Sequence, residues 1–226
     1  MSVVLETSEL CKSYGGLEAV KDLSLHVRQG EVFGFLGPNG AGKTTTIRML
    51  LRLIKPTSGS FTTFHRGDTG YLPGELALWP DLSGRATLDL LARLSRRPPV
   101  MREPLLERLQ IPPAVLRRQV RTYSDGTKQK LGIVQALQCA PRLLMLDEPT
   151  KGLDPLMQQD FYTVLEEMRR LGTTIFFSSH VLSEVERLCD RVALLREGRL
   201  IASGTIAELR GDHPSFEASF LARYRA

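Results

Sequence analysis

Residues 37–44 read Gly37-Pro38-Asn39-Gly40-Ala41-Gly42-Lys43-Thr44 and match the pattern G-x-x-x-x-G-K-[ST]. They lie between an apolar run at residues 32–36 and a helical pattern at residues 44–54, so a glycine-rich loop joins a strand to a helix. Glycines let backbone N–H groups curl around a phosphate, and the helix N-terminus adds positive potential. Lys43 has the reach for β- and γ-phosphate oxygens, and the Thr44 hydroxyl suits Mg²⁺. This stretch, called the phosphate loop below, predicts nucleotide binding.

The phosphate loop predicts a ligand without deciding a function, because kinases, GTPases and motors all use such loops. A chance match to the pattern in a chain of this length is expected roughly once in a hundred. The predicted nucleotide contacts are the loop residues and the residue after them, namely Gly37, Pro38, Asn39, Gly40, Ala41, Gly42, Lys43, Thr44 and Thr45.

Strand and helix patterns alternate along the rest of the chain. Leu23, Leu25 and Val27 alternate with polar residues, which predicts a half-buried strand and antiparallel β structure near the start. Short apolar runs return at residues 143–146 and 173–177. Between them lies a helical pattern whose apolar face consists of Met157, Phe161, Val164 and Met168. Such alternation predicts an α/β fold with a parallel sheet, the architecture of a P-loop NTPase core.

Turn and cap signals mark a hairpin, a last helix and the bounds of the subdomains. Glu197-Gly198 predicts a hairpin, and Thr205 with Glu208 predicts a capping box for a last helix. Proline pairs at residues 98–99 and 112–113 interrupt leucine- and arginine-rich helical stretches, which predicts an inserted helical subdomain. We therefore expect one domain, comprising a core with a β subdomain in 1–74 and 141–210, a helical subdomain in 75–140 and a loosely held tail in 211–226.

Composition restricts the class of protein. Hydrophobic residues make up 42% of the chain and charged residues 24%, as in ordinary soluble domains. No apolar run reaches the ~20 residues that cross a bilayer, and no signal peptide is expected. The three cysteines lack zinc spacing and are expected to be reduced thiols. Residues 81–130 carry a net charge of +6 within a chain of net +5, which is compatible with an anionic surface or with a solvated helix face.

Two acids follow the apolar run at residues 143–146. Asp147 and Glu148 stand at the carboxyl end of a predicted buried strand, where α/β sheets hold ligands, and the segment resembles a Walker B motif. Asp147 is predicted to bind Mg²⁺ and Glu148 to polarise the attacking water, because phosphoryl transfer needs both a metal and a positioned nucleophile. The alternative is two solvated acids in a turn before Pro149.

Residues 123–130, Tyr-Ser-Asp-Gly-Thr-Lys-Gln-Lys, precede a predicted helix and resemble the ABC signature sequence, commonly Leu-Ser-Gly-Gly-Gln. The chain is thereby similar to ABC ATPases over residues 5–209. The resemblance implies that Ser124 and Gly126 contact the γ-phosphate bound to an opposite protomer. From the residues alone, the simpler explanation is favoured, namely that Ser124 and Asp125 are helix-capping residues.

Three further residues take roles from the same resemblance. His180 resembles the switch histidine that contacts the γ-phosphate, although a lone histidine is more often structural. Asp154 resembles the aspartate at the dimer seam, and with Pro155 it also suits a helix N-cap. Tyr14 matches the aromatic residue that stacks on adenine, with a core tyrosine as the alternative.

The sequence also departs from the family pattern. Where the family usually has a loop glutamine, this chain has Gly74, followed by Glu75. Glu75 is a candidate Mg²⁺ ligand in place of that glutamine, because Gly74 gives the backbone freedom to turn the carboxylate inward. The alternative is that Glu75 begins the first helical turn of the helical subdomain and faces solvent. Asp125 and Thr127 depart from the common signature, and residues 64–70 form a short connection, so the β subdomain is expected to be trimmed.

The resemblance implies an ATPase that uses ATP and Mg²⁺ and works as a head-to-tail dimer with a second nucleotide-binding domain, identical or related. It also implies a separate transmembrane permease, a cytoplasmic location at the inner face of the membrane, and no nucleic-acid partner. The segments 71–73 and 123–124 most resemble those of multidrug, antibiotic and polysaccharide exporters. The alternative is a soluble ABC ATPase in cofactor assembly or another process without transport.

Overall fold

The structure, a computed structural model, describes residues 2–225, which divide into two compact units. Unit 1 comprises the residues up to Phe64 together with those from Thr174, and unit 2 comprises His65–Thr173. The elements in chain order are β1 (Val3–Tyr14), β2 (Leu17–Arg28), β3 (Val32–Leu36), α1 (Lys43–Leu50), β4 (Ser58–Thr62), β5 (Thr69–Leu72), α2 (Gly84–Ser95), α3 (Arg102–Arg108), α4 (Pro113–Leu116), α5 (Asp125–Leu137), β6 (Leu143–Asp147), α6 (Pro155–Arg170), β7 (Thr174–Ser179), α7 (Leu182–Leu188), β8 (Arg191–Arg196), β9 (Arg199–Thr205), α8 (Ile206–Arg210) and α9 (Phe216–Arg225).

Unit 1 contains an antiparallel sheet with the strand order β2-β1-β4. The alternation in β2 has the predicted result, because Leu23, Leu25 and Val27 are buried while their neighbours Ser24 and His26 are exposed. The expectation of antiparallel β structure near the start of the chain is confirmed.

Unit 1 also holds β7, β3, β8 and β9 as hydrogen-bonded neighbours in that order. β3 is parallel to both β7 and β8, and all five of its residues are buried, as expected for a central parallel strand. Phe176 of β7 packs against Phe33 and Phe35, with ring centroids 5.8 and 5.0 Å apart. The parallel sheet predicted from the apolar runs is confirmed.

The predicted hairpin joins β8 to β9 at Glu197-Gly198, where both residues have positive φ, 50° and 81°. Two consecutive positive φ values give the tight turn whose twist matches antiparallel strands. The capping box also forms, since Thr205 accepts from the N–H of Glu208 and the Glu208 carboxylate accepts from the N–H of Thr205. Those hydrogen bonds lower the pKa of Glu208.

Helix α1 is shorter than the sequence pattern predicts. It ends at Leu50, because Arg52 adopts a left-handed conformation (φ 57°) and the N–H of Leu53 turns back to the Arg48 carbonyl, 2.8 Å away. This arrangement satisfies the last helical carbonyls, so the apolar pattern continues to Ile54 without further helix.

In unit 2, β5 and β6 form a parallel pair accompanied by helices α2 to α6. Gly70 of β5 is indispensable there, since a Cβ on it would lie 2.1 Å from the Ala136 carbonyl oxygen of α5. The buried guanidinium of Arg102 donates to Gln138 and to the Leu88 carbonyl, which ties together α3, α2 and the end of α5. The predicted apolar face of α6 is buried at Met157, Phe161, Val164 and Met168.

The prediction of a loosely held C-terminal tail was wrong for residues 216–225, which form α9. Phe216 and Ser219 are almost fully buried in unit 1, and the Ser219 hydroxyl donates to the Leu209 carbonyl of α8. The helical spacing of Phe216, Phe220 and Tyr224 was the signal in the sequence for this helix. Within the described residues 2–225, no helix has both the length and the apolar character to cross a bilayer.

Candidate nucleotide-binding site

The phosphate loop of unit 1 runs from the carboxyl end of β3 to the first turn of α1. Its first N–H, on Gly37, donates to the Ser179 carbonyl at the end of β7, 3.3 Å away. The Lys43 ammonium folds back over the loop and donates to the carbonyls of Gly37 and Pro38, at 2.7 and 3.1 Å. Lys43 is only 5% exposed, so its charge is concentrated where the loop curls.

Glycine is required at two positions of this loop. Gly40 and Gly42 have φ values of 82° and 97°, which side chains rarely tolerate. At Gly42 a Cβ would also lie 2.4 Å from the Ala19 carbonyl oxygen, whereas nothing lies within 4 Å of the Cβ position at Gly40. The backbone is thus held tightly on one side and open beside Gly40, as a phosphate cradle at a helix N-terminus requires.

Backbone groups that the sequence analysis did not anticipate enclose the loop. The Leu195 carbonyl oxygen lies 2.6 Å from the Cβ position of Gly37, and the N–H of Gly198 donates to the Ala41 carbonyl at 3.2 Å. These atoms belong to the β8–β9 hairpin, while Ala19 belongs to β2. No side-chain pattern marks such contacts; only the glycine at position 198 gave a signal, and it indicated the turn alone.

Two other predicted residues lie in unit 1. His180 directly follows Ser179 and is exposed at the carboxyl end of β7, so the hydrogen bond from Gly37 to Ser179 places its backbone beside the phosphate loop. Tyr14 is 47% exposed at the end of β1, and the Lys12 ammonium lies 4.9 Å from its ring centroid. The alternative of a core tyrosine was therefore wrong, and the ring is accessible for stacking.

Unit 2 carries the two acids. Asp147, at the end of β6, is 3% exposed, and Glu148 is half-buried. Glu148 has a φ of 49° although it precedes Pro149, and it is neither glycine nor asparagine. A side chain held in this conformation costs ~1–3 kcal/mol, and such residues concentrate at functional sites. The alternative of two solvated acids was wrong for Asp147.

Gly74 and Glu75 follow β5 in unit 2. A Cβ at Gly74 would lie 2.9 Å from the Asp147 carbonyl oxygen and 3.8 Å from Glu148 Cβ, so this glycine lets the chain pass close to the two acids. Glu75 is exposed within a bend. The alternative that it begins a helix was wrong, because the first helix of this region starts at Gly84. The helix begins there because the Ser83 hydroxyl accepts from the N–H of Ala86 and provides the N-cap.

The signature segment occupies the first turn of α5. Ser124 is the N-cap, and its hydroxyl accepts from the N–H of Thr127, 3.3 Å away, so the capping interpretation holds. Ser124 remains exposed, and the first turn of a helix leaves N–H groups without intrahelical acceptors. Tyr123 anchors this start by donating to the Val115 carbonyl at 2.7 Å, and burial raises its pKa.

Asp154 provides the N-cap of α6 by accepting from the N–H of Met157 at 2.9 Å, with Pro155 at the first helical position. The signature helix and the segment after the acids are in contact, since the side-chain amide of Gln129 donates to the Pro149 carbonyl at 3.1 Å. Gly126 also approaches α6, with its Cβ position 3.8 Å from the Met157 sulfur. Unit 2 therefore brings the acids, the signature and the Asp154 turn into one connected region.

The donors fit a magnesium nucleotide better than a metal ion alone. Among the described residues, no three His, Cys, Asp or Glu side chains converge into a metal site. Unit 1 supplies the Thr44 hydroxyl in the first turn of α1, and unit 2 supplies the buried carboxylate of Asp147. Mg²⁺ commonly takes one or two protein ligands and completes its shell with phosphate oxygens and water, so a single donor of either kind suits a Mg²⁺ that arrives with a nucleotide.

Comparison with known proteins decides the family. Residues 20–151 match the sequence profile of the family described as ABC transporter. An uncharacterised ABC transporter ATP-binding protein of Nostoc sp. is 40% identical over 94% of this chain and 70% of its own length. The chain belongs to the ABC transporter family. The bacitracin transport ATP-binding protein BcrA of Bacillus licheniformis is also 40% identical, over 89% of this chain and 69% of its own length.

The fold agrees with this assignment. A solved structure described as the ATP binding subunit of an ABC transporter aligns with a TM-score of 0.89, covering 98% of this chain and 99% of its own, at 29% identity. The predicted α/β P-loop fold is thereby confirmed. The protein is an ATP-binding subunit of the ABC transporter family, and membership of this family also confirms the predicted ATPase activity.

Proposed function

We propose that this ABC transporter subunit powers a separate transmembrane permease, in the export direction, as a peripheral protein on the cytoplasmic face of the cell membrane. The likeness to a bacitracin transport protein supports transport of an antibiotic-like substrate. The observation that carries the two-protomer site is the signature segment: Ser124 is exposed at the start of α5, where the first helical turn leaves N–H groups without intrahelical acceptors.

In the proposed site, the phosphate loop binds the nucleotide phosphates, and Lys43 moves from its loop carbonyls to the β- and γ-phosphates. Its burial favours this exchange, since the ammonium has protein carbonyls but little water around it. The exposed ring of Tyr14 stacks on adenine. A bound Mg²⁺ would neutralise phosphate charge, and Thr44 and Asp147 are the residues proposed to hold it.

Hydrolysis is assigned to Glu148 and His180. Glu148 accepts a hydrogen bond from the attacking water and orients it, and its φ of 49° fixes where the carboxylate begins. His180, exposed after β7, donates to the γ-phosphate. Ser124 and Gly126 of a second protomer bind the same γ-phosphate, so each nucleotide lies between the phosphate loop of one protomer and the signature segment of the other.

Mixing two inactive variants tests this head-to-tail dimer. Lys43→Ala removes phosphate binding in its own protomer, whereas Ser124→Ala leaves binding intact and disables the signature that the partner needs. Neither homodimer has a complete site, but a mixed dimer has one, so ATPase activity should return on mixing. Activity is measured by phosphate release.

The matched control is the double variant Lys43→Ala with Ser124→Ala, which cannot complete a site with either single variant. Its mixtures should stay inactive. If the two single variants also stay inactive together, while both bind their wild-type partner, the composite site is wrong.

The permease is tested by purifying the native protein from solubilised membranes. We expect a multi-span membrane protein to copurify and to stimulate the ATPase. A soluble partner, with no membrane protein and no stimulation, would instead favour the alternative function in cofactor assembly.

A further inference from the structure

The β8–β9 hairpin contacts the phosphate loop at two positions, Gly37 and Ala41. The Leu195 carbonyl oxygen approaches within 2.6 Å of the Cβ position of Gly37, and the N–H of Gly198 donates to the Ala41 carbonyl at 3.2 Å. The carbonyl of Gly198 in turn accepts from the N–H of Lys21 at 2.8 Å, so the hairpin is itself held by β2. A displacement of this hairpin would therefore displace the loop.

Helix α9 is fastened to the same hairpin by two hydrogen bonds. The Tyr224 hydroxyl donates to the Leu195 carbonyl, the one that faces Gly37. The Arg196 guanidinium donates to the Tyr224 carbonyl at 2.8 Å. The Tyr224 ring also stacks on Phe220, with centroids 4.3 Å apart, which limits its rotamers.

The hydroxyl is a dependable donor. Burial raises the pKa of Tyr224 to about 12, against an opposing effect of the Arg196 charge. The phenol is therefore protonated at neutral pH and can donate to the Leu195 carbonyl there.

We propose that Tyr224 and Arg196 are positioning residues for the nucleotide, acting through the Leu195 carbonyl on Gly37 of the phosphate loop. The proposal rests on the proposed binding of the nucleotide phosphates by this loop. By clamping α9 to the hairpin, they hold Leu195 against the loop, so that the loop keeps its curled conformation before the phosphates arrive. Preorganisation of this kind raises affinity because less ordering remains to be done on binding.

A merely structural role for α9 predicts something different, and the same helix offers the comparison. The Ser219 hydroxyl donates to the Leu209 carbonyl of α8 and accepts from the Arg223 guanidinium, and neither contact involves the hairpin. Tyr224→Phe and Ser219→Ala each remove one hydroxyl that donates to a backbone carbonyl and anchors α9. Both substitutions should lower the melting temperature, and only the first should reach the phosphate loop.

The experiment uses the full chain and measures the dissociation constant for Mg-ATP together with hydrogen exchange of peptides covering residues 37–44. Tyr224→Phe should raise the dissociation constant roughly threefold to tenfold, the effect of one lost hydrogen bond. It should also speed exchange in those peptides. Ser219→Ala should match wild type in both measurements within about twofold, although its melting temperature falls.

If Tyr224→Phe behaves like Ser219→Ala in affinity and exchange, the proposal is overturned. Arg196→Ala provides a second variant in case Tyr224→Phe does not fold; it should weaken nucleotide binding in the same direction, and unchanged affinity contradicts the clamp. Lys43→Ala in the same assay separates the proposed function from this inference. If Lys43→Ala still binds Mg-ATP normally, the phosphate loop does not bind the nucleotide, whatever the effect of Tyr224→Phe.

Discussion

In unit 1 the phosphate loop is enclosed by backbone atoms of β2, β7 and the β8–β9 hairpin, whereas in unit 2 Ser124 and Asp154 are exposed at the first turns of helices. These contacts hold the loop in its curled conformation, which suits a group that must bind phosphates by itself. The exposed caps are positioned by their helices but remain accessible, which suits groups that complete the site of another protomer. We therefore assign binding of the phosphates to unit 1 and completion of the other protomer's site to unit 2.

Substitution of Glu148 is expected to have the largest effect and tests whether unit 2 can lose its activity without loss of ATP binding by unit 1. Unlike Ser124 and Asp154, Glu148 is half-buried and has a strained backbone. Glu148→Gln keeps the size of the side chain and removes its basicity, so hydrolysis should slow by at least ~10²-fold. ATP affinity should stay close to wild type, because the phosphate loop is untouched. Phosphate release measures the first effect, and titration with ATP the second.

With hydrolysis blocked, ATP should trap a dimer on sizing chromatography. Glu166→Gln is the matched control, an identical change on the exposed side of α6, where Glu166 pairs with Arg170 at 3.7 Å; it should leave turnover unchanged. A Glu148→Gln protein that stays monomeric with ATP and turns over normally would show that Glu148 is not the base. Loss of ATP binding in Glu148→Gln would instead contradict the assignment of phosphate binding to unit 1 alone.

Gly74 sharpens the comparison, because its backbone passes close to Asp147 in the unit where Ser124 and Asp154 are exposed. Family resemblance suggests that Gly74→Gln would restore a missing glutamine. The structure predicts damage, since the new Cβ would lie 2.9 Å from the Asp147 carbonyl oxygen and push the two acids aside. ATPase activity should fall about tenfold, since small displacements of reacting groups are costly, and stability by ~1–3 kcal/mol.

Gly74→Ala separates the two explanations, since it adds the Cβ without the amide. It should share the loss of activity and of melting temperature. The opposite result would be a Gly74→Gln protein that is more active and more stable than wild type while Gly74→Ala is impaired. It would show that the gain from the amide exceeds the cost of the close contact between the new Cβ and the Asp147 carbonyl oxygen.

What the sequence could predict follows the same division. The phosphate loop was predictable residue by residue, because Gly40, Gly42 and Lys43 act within a few positions of one another. The contacts of Ala19 and Leu195 with that loop were not, because they come from distant segments and use carbonyls that every residue has. The packing of α9 was missed for a related reason: Tyr224 meets Leu195 only in the fold.

In unit 2, the capping signals of Ser124 and Asp154 were read correctly, because an N-cap depends on residues three positions apart. The left-handed conformation of Glu148 had no signal, since glutamate before proline gives no reason to expect it. The start of α2 at Gly84 was also not predicted from the sequence. As a result, Glu75 lies in a bend before the helix and not in its first turn.

Glu75 is the residue on which the comparison predicts the smallest effect. It is exposed in a bend directly after Gly74, whose backbone passes close to Asp147, and it is accessible like Ser124 and Asp154. If it substitutes for the family's glutamine, its carboxylate binds Mg²⁺ and repels the γ-phosphate, so it acts only once metal is present. Glu75→Ala should then leave ATP affinity nearly unchanged, weaken ATPase stimulation by the permease a few-fold and raise the Mg²⁺ requirement, because one ligand is lost.

The measurement is a Mg²⁺ titration of ATPase activity with and without the permease. Asp81→Ala is the control, because Asp81 is a 79% exposed acid in the loop that precedes α2, paired with Arg121 at 3.5 Å. Both variants remove one exposed negative charge from the same loop, so a general electrostatic effect would appear in both. A shift confined to Glu75→Ala assigns it the coupling role. If its Mg²⁺ dependence and its stimulation both match those of Asp81→Ala, Glu75 is only a surface residue, and the loop after β5 signals through the backbone contact of Gly74 with Asp147.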